Sequence, residues 1–559
     1  MQWTQEYAPV GGNLLWSAAC ALVPIVFFFW ALAVKRMKGY RAGLLTLGVS
    51  LLIAVLVYGM PAEKAVLSAS QGAVYGLLPI GWIIVTSVFL YKITVKTGQF
   101  DIIRSSVLSI TDDRRLQALL IAFSFGAFLE GAAGFGAPVA ISAALLVGLG
   151  FHPLYAAGIC LIANTAPVAF GAIGIPITAV EGPTGIPAME ISQMVGRQLP
   201  FLSVFIPLYL IILMSGFKKA FEVWPAILVS GVSFAAVQYV SSNFLGPELP
   251  DVLSALVSMG ALAVFLKFWK PKTAFRFAAE RESAAASDHD AKTVYGGAAI
   301  FKAWSPFLLL TAMISIWSIP QVKAALTGHY DGSSMWLSWL NAAGKALTFS
   351  PPVPFVNNQI LHADGTPIEA VYKLELFGSA GTAILIAAIM AKFVLGMPWK
   401  AWGEAFAETL KELTLPILTI SSVVGFAYVT NASGMSTTLG LALAMTGAMF
   451  TFFSPVLGWL GVFITGSDTS ANLLFGGLQK VTALSVGMDP VLSVAANSSG
   501  GVTGKMISPQ SIAVACAAVG LAGKEADLFR FTIKHSLFLL LLVCIITFLQ
   551  HHVFSWMIP

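Results

Sequence analysis

The sequence predicts an all-α polytopic membrane protein of about 12–14 transmembrane helices, arranged as two inverted-topology repeats that contain broken or re-entrant helices. Three observations lead there. Of 559 residues, 57% are hydrophobic and only 10% charged, with a mean hydropathy of +0.84, values outside the range of soluble domains. Apolar windows of about 20 residues, enough to cross roughly 30 Å of hydrocarbon, recur along the chain. Finally, motifs in its two halves recur at a near-constant offset of 333 to 337 residues.

Residues 1–40 hold a first span, "NLLWSAACALVPIVFFFWALAV", too long and too aromatic for a cleaved leader and without a basic stretch before it, so it is read as retained. Residues 41–219 form the first repeat and 375–559 the second. Residues 220–374 connect them through further helices, a cytoplasmic linker at 270–302 and an outer loop at 321–374. The linker, "KPKTAFRFAAERESAAASDHDAKTVYGG", is charged and rich in Ala and Ser, as a solvated connection would be. "WKAWGEAFAETLKEL", 399–413, has mixed charge at helical spacing and reads equally as an interfacial or a connecting helix. Cys20, Cys160, Cys516 and Cys544 lie in apolar segments without metal-ligand spacing and read as packing residues.

The net charge of +5 marks orientation more than partners. Basic residues cluster at 35–41, 92–115, 218–219, 267–302, 392–411 and 524–534, which the positive-inside rule makes cytoplasmic. The N-terminal tail, "GMPAEK", 181–198, "SNFLGPELPD" and 321–374 carry few positives and are expected to face outward, and both termini with them.

The duplication is read from three pairs. "LPIGWIIVTSVFLYKITVKTG" resembles "LPILTISSVVGFAYVTNASG", "FLEG" at 128–131 resembles "FITG" at 463–466, and "NTAPVAFGAIGIPIT" from Asn164 shares its spacing of Asn, hydroxyl residue, Gly and Pro with "NSSGGVTGKMISPQS" from Asn497. The helix after Pro79 runs toward a basic segment and its counterpart at Pro416 runs away from one, so the copies are inverted. Inverted repeats interrupted at matching positions point to a secondary transporter with its site at the repeat interface. Each copy is expected to supply a broken or re-entrant hairpin, near Gly131 and Gly466, and a broken helix, near Asn164 and Asn497. Unwound backbone at such places offers N–H groups to an anion and carbonyls to a cation.

A charge at mid-bilayer costs at least about 2.5–3.5 kcal/mol, so the few in these segments carry information. Glu130 and Asp468 belong to the paired hairpins and read as proton-coupling residues; the bland alternative for Glu130 is a structural hydrogen bond to hairpin N–H groups. Lys505, where the first copy has Ala172, reads as the partner of a substrate carboxylate, with snorkelling or pairing with Asp468 as the alternative. Without substrate, Asp468 is expected to pair with Lys505. Asn164, Thr165, Asn497 and Ser498, with Gly134 and Gly136 in "FLEGAAGFGAP", complete the candidate substrate site; their bland readings are interhelical hydrogen bonding and close helix packing. His152 reads as an interfacial residue rather than a proton carrier.

The strings "LYKITVKTGQFDIIRSSVLSITDD", "FGAFLEGAAGFGAPVAI", "ICLIANTAPVAFGA", "GRQLPFLSV", "SNFLGPELPD" and "NSSGGVTGKMISPQSIAVA" resemble signatures of the lactate permease family over essentially the full chain. The apolar windows and the charge distribution make the protein multi-pass with both termini periplasmic; the resemblance implies a bacterial inner-membrane symporter that takes up lactate, and in some members glycolate, with protons. It also implies kinship with inverted-repeat transporters, many of elevator type, in which Asn-Thr hairpin motifs can bind sodium. Sodium coupling is therefore the near alternative and a passive anion channel the more distant one. No nucleotide loop, metal spacing or nucleophile arrangement points to an enzyme, and neither a cofactor nor a nucleic-acid partner is expected; the partners are lactate or glycolate, protons and the bilayer.

Overall fold

The computed structural model describes residues 2–132, 134, 137–276, 295–521 and 524–559. The expected site residue Gly136 and the middle of the 270–302 linker lie outside the described residues. Among those described, eleven helices are long and apolar enough to cross a membrane, or twelve if one bent pair counts as a single span. The expectation of twelve to fourteen is met only at its lower edge, because apolar stretches at 138–148, 380–395 and 435–444 form helices too short to cross.

The chain opens with α1 (Leu14–Phe29), whose first N–H groups are capped by the Asn13 side chain, followed by α2 (Gly39–Leu56), α3 (Ala62–Tyr75) and α4 (Trp82–Lys96). Between α3 and α4, Leu78 leaves helical geometry ahead of Pro79, as a residue before proline tends to. Its freed carbonyl accepts from the Tyr372 hydroxyl at 2.8 Å. After α5 (Gln99–Leu108) comes α6 (Arg114–Ala132), a span whose whole apolar window is buried. Its N-terminal end is anchored by Arg115, fully buried, which pairs with Asp113 at 2.8 Å and Glu222 at 2.7 Å.

Past α6 the helices become short and interrupted. They are α7 (Ala137–Gly148), α8 (Pro153–Ala163) and α9 (Gly171–Thr184). The axes turn by 65° at the break between Ala163 and Val168, and just beyond it, within α9, Ala172, Ile173 and Gly174 have φ of 45°, 58° and 70°. Three successive left-handed residues end any regular helix. Then follow α10 (Ala188–Val195), α11 (Leu199–Ser215), α12 (Trp224–Phe244), α13 (Pro250–Phe268), α14 (Gly297–Ser318), α15 (Pro320–Leu326) and α16 (Met335–Leu347). The 321–374 segment takes part in two small strand pairs. β1 (Trp3–Thr4) runs parallel to β3 (Ile360–Leu361), and β2 (Thr348–Phe349) antiparallel to β4 (Leu374–Glu375). The first pair ties the N-terminal tail to the 321–374 loop, so both lie on one face.

The remaining helices are α17 (Ala380–Leu395), α18 (Trp399–Ala432), α19 (Met435–Ala444), α20 (Phe450–Thr465), α21 (Asp468–Val486), α22 (Pro490–Lys505), α23 (Pro509–Ala518) and α24 (Glu525–His552). Residues 399–413 begin the 34-residue α18 and bind α4 through Lys92–Glu412 and Lys96–Glu408, both 2.7 Å; they connect rather than lie along the interface as a separate helix. Gly466 closes α20 with φ of 70°, as a glycine C-cap should, and Ser467 opens α21 by accepting from Ser470 N.

The expected break near Asn497 is not there. α22 runs unbroken from Pro490 to Lys505, and the interruption falls at 506–508. The Asn497 side chain bonds sideways to Asn472 and Gln479. Meanwhile the glycines of α22 remain helical because they seat it against the backbone of α20: a Cβ on Gly458 or Gly500 would collide with the carbonyl of Asn497 or Pro455.

This contact generates a test. Gly500→Val should force α20 and α22 apart and lower the melting midpoint of detergent-solubilised protein, with an overpacking cost of about 1–3 kcal/mol or more. Gly48→Ala, where an added Cβ meets nothing within 4 Å, should leave the midpoint unchanged or raise it.

Candidate functional site

The helix interruptions converge on a cavity of about 100 Å³. A water occupies about 30 Å³ in the liquid and drug-sized pockets run to roughly 300–1,000 Å³, so the space suits a molecule of only a few heavy atoms. Glu130 reaches it from the C-terminal end of α6, Asp468 from the first turn of α21, and Lys505 from the last residue of α22. The starts of three helices also line it: Ile175 and Pro176, which open the regular part of α9, Asp468 of α21, and Gln510 and Ser511 of α23. Helix N-termini carry partial positive charge and free N–H groups, so the cavity is biased toward an anion.

Its central contact is the ion pair from Lys505 Nζ to Glu130 Oε1, 2.7 Å, between residues that are 8% and 2% exposed. Glu130 Oε2 has no hydrogen-bond partner among the described residues. Gly171 makes room for this carboxylate, since a Cβ there would stand 2.8 Å from Oε1. The expected Asp468–Lys505 pair is thus replaced by a Glu130–Lys505 pair. Asp468 is held elsewhere: its Oδ2 accepts from Ser498 Oγ at 2.6 Å and from Asn472 Nδ2 at 3.2 Å, and its Oδ1 is unpartnered, packed against Gly501.

Behind Asp468 the polar groups form a continuous network. Asn472 also donates to the carbonyl of Pro176 in α9 at 3.1 Å, joining the two interrupted regions. Asn497 donates to Asn472 Oδ1 at 2.9 Å and accepts from Gln479 at 3.1 Å, and Gln479 in turn accepts from Ser454 and Ser493. Most of these groups are satisfied, which fixes the Asp468 carboxylate in place.

Of the residues expected from sequence, Glu130, Asp468, Lys505 and Gly134 therefore line the cavity. Ser498 stands one hydrogen bond behind it and Asn497 two. Asn164 caps the end of α8, and neither its Nδ2 nor Thr165 Oγ1 has a partner; neither residue is among those lining the cavity. His152 is exposed at the start of α8. Ser467, Thr469, Gln510 and Ser511 were not anticipated as lining residues, although Gln510 and Ser511 sit directly after the Pro509 used to align the repeats. Asp251 was assigned to an outward loop. Instead it is 1% exposed in the first turn of α13, beside Gly131.

A larger cavity of about 1140 Å³ adjoins the small one, and the two share Ser467 and Gln510. Its lining includes Arg36, Lys38 and Arg530, all exposed. This vestibule is thus separated from the charged centre by no more than Ser467 and Gln510, which line both.

Interrupted helices enclosing a small charged cavity in a multi-pass membrane protein are the build of a secondary transporter. The chain belongs to the L-lactate permease family, whose model matches residues 17–554; this is a family of permeases and not of enzymes. It is 85% identical to the L-lactate permease of Bacillus subtilis (strain 168), with 100% of each chain covered. It is 55% identical to the glycolate permease GlcA of Escherichia coli (strain K12), covering 100% of this chain and 99% of that one. With the L-lactate permease of Salmonella typhimurium (strain LT2) it shares 54% identity over 100% of both.

The buried pair predicts non-additive stability. Glu130→Gln strands the Lys505 ammonium, and removal of one partner from a buried pair costs about 3–5 kcal/mol. Adding Lys505→Gln should restore most of that loss, measured as the thermal midpoint in detergent. A double variant no more stable than Glu130→Gln would show that the pair is not what the fold depends on there.

Proposed function

We propose that the protein imports lactate, and glycolate more weakly, across the bacterial inner membrane by proton symport, using Glu130 and Lys505 as the coupling centre. The observation that carries this reading is the buried Lys505–Glu130 pair inside a cavity sized for a small monocarboxylate. In the empty site, ammonium and carboxylate cancel. An arriving substrate carboxylate competes for Lys505 and displaces Glu130, which then needs a proton to remain buried without a cation. The loaded site holds ammonium, substrate carboxylate and a neutral Glu130, so its net charge equals that of the empty site. Substrate bound without the proton would add an uncompensated charge, at a cost of at least about 2.5–3.5 kcal/mol at membrane depth.

The rest of the cavity suits a 2-hydroxy acid. Asp468, Ser467, Thr469 and Ser511 offer acceptors for the hydroxyl, with Ser498 and Asn472 holding Asp468 in place, while Val168, Ile175 and Val514 face the methyl. Glycolate lacks only that methyl, a difference worth about 1–3 kcal/mol in an apolar pocket, so discrimination is graded. In this reading Gly134 shapes the cavity wall, and Asn164, Thr165 and Asn497 support the interruptions and the network. The positive-inside rule makes the vestibule bearing Arg36, Lys38 and Arg530 cytoplasmic and both termini periplasmic. The two interrupted regions are then copies of one inverted repeat.

Proteoliposomes should accumulate labelled lactate under an inward proton gradient with or without sodium, lose accumulation on adding a protonophore, and show weaker competition by glycolate. Accumulation that follows sodium and ignores pH would overturn the reading. Lys505→Gln, alone or with Glu130→Gln to protect folding, should weaken lactate binding about 10- to 100-fold, the worth of a hydrogen bond to a charged group. Unchanged affinity would remove Lys505 from the site.

A further inference from the structure

Asp251 is the charged residue at the centre that neither the ion pair nor the substrate cavity uses. It lies in the first turn of α13 at 1% exposure, and neither carboxyl oxygen has a hydrogen-bond partner among the described residues. One turn further on, the buried hydroxyl of Ser254 is unpartnered as well. The fit against α6 is close: a Cβ on Gly131 would stand 2.7 Å from Asp251 Cβ and 3.1 Å from the backbone N of Val252. Asp251 thus abuts the residue that follows Glu130. Charges within electrostatic reach of it are Glu130 on α6 and Lys505 on α22. The α12–α13 loop that leads into it is pressed onto the other break, since a Cβ on Gly174 would collide with the carbonyl of Pro247. This loop also lies toward the 321–374 segment, since Glu248 is within electrostatic reach of Lys323, and the positive-inside rule puts that face opposite the basic vestibule.

An ionised carboxylate at 1% exposure with no hydrogen-bond donor among the described residues is costly to bury, and such a group neutralises instead. Asp251 is therefore placed to hold a proton one step outward from Glu130, on the side that must open to receive substrate and proton. We propose that Asp251 is the outer proton-holding residue of the coupling centre. When substrate displaces Glu130 from Lys505, the Asp251 carboxyl gives its proton to the Glu130 carboxylate, and Asp251 is reprotonated from the outer solution before the loop seats again. One proton enters and one O–H bond is exchanged for another, so charge and atoms balance. On the vestibule side, departure of substrate returns Glu130 to Lys505 and releases the proton inward, while Asp251 stays neutral. This arrangement keeps the two carboxyls from being ionised together beside one ammonium.

The proposal rests on the proton-symport reading, and the test separates the two. Asp251→Asn keeps the shape and lacks the exchangeable proton. In proteoliposomes it should retain exchange of labelled for unlabelled lactate within about twofold, but lose gradient-driven accumulation by about a hundredfold, in the range by which a positioned acid–base group accelerates proton transfer. Its uptake rate should also become nearly independent of outer pH, and Asp251→Glu should recover part of the accumulation. If the parent follows a proton gradient and Asp251→Asn follows it equally, Asp251 has no part in coupling. If Asp251→Asn loses exchange and accumulation together, its role is structural and the proposal fails. If the parent itself ignores the gradient, the symport reading falls and this proposal with it.

Discussion

A charge can sit in the interior of a membrane protein only beside something that cancels it, and the centre of this protein is organised by that requirement. Lys505 is the last residue of α22 and Glu130 lies near the end of α6; neither would be tolerated at membrane depth without the other. In the proposed symport reading its members are exchangeable: another carboxylate takes the place of Glu130, provided Glu130 loses its charge. On that reading, specificity for a small anion and the demand for a proton arise from one interaction.

The helix interruptions make this chemistry available. An unbroken helix satisfies its own backbone and offers a substrate only side chains. Breaking α8 from α9, α20 from α21, and α22 from α23 brings three helix starts to one cavity of about 100 Å³, where their N–H groups favour an anion. The glycines that seat α22 on α20 and Gly171 under Glu130 serve the same end, letting backbone and carboxylates approach where a side chain would separate them. Behind the cavity, the Asn472–Asn497–Gln479 network joins α21 to α22 and, through Pro176, to α9.

Membrane class and helical build were legible because twenty-residue apolar windows have few other uses, and Glu130, Asp468 and Lys505 stood out because charge is rare in such windows. Family membership was legible from long strings such as "FGAFLEGAAGFGAPVAI". What the sequence hid was pairing. Local spacing placed Lys505 and Asp468 in one repeat and suggested that they pair, whereas the tertiary fold brings in Glu130 from 375 residues away. Asn497 was matched to Asn164, yet its helix continues to Lys505, held by side-chain bonds to Asn472 and Gln479, whereas the helix before Asn164 ends at Ala163. Asp251 was overlooked since "GPELPD" has the composition of an exposed turn; its Pro-Asp start to an apolar span was the available signal.

The central claim is that substrate binding and proton uptake are one event at the Lys505–Glu130 pair. The direct measurement is calorimetric titration of purified protein with lactate in buffers of different ionisation enthalpy, which counts protons taken up per lactate bound. The account predicts close to one proton per lactate near neutral pH for the parent and close to none for Glu130→Gln. Tight lactate binding by the parent with no proton uptake, or full uptake persisting in Glu130→Gln, would contradict it.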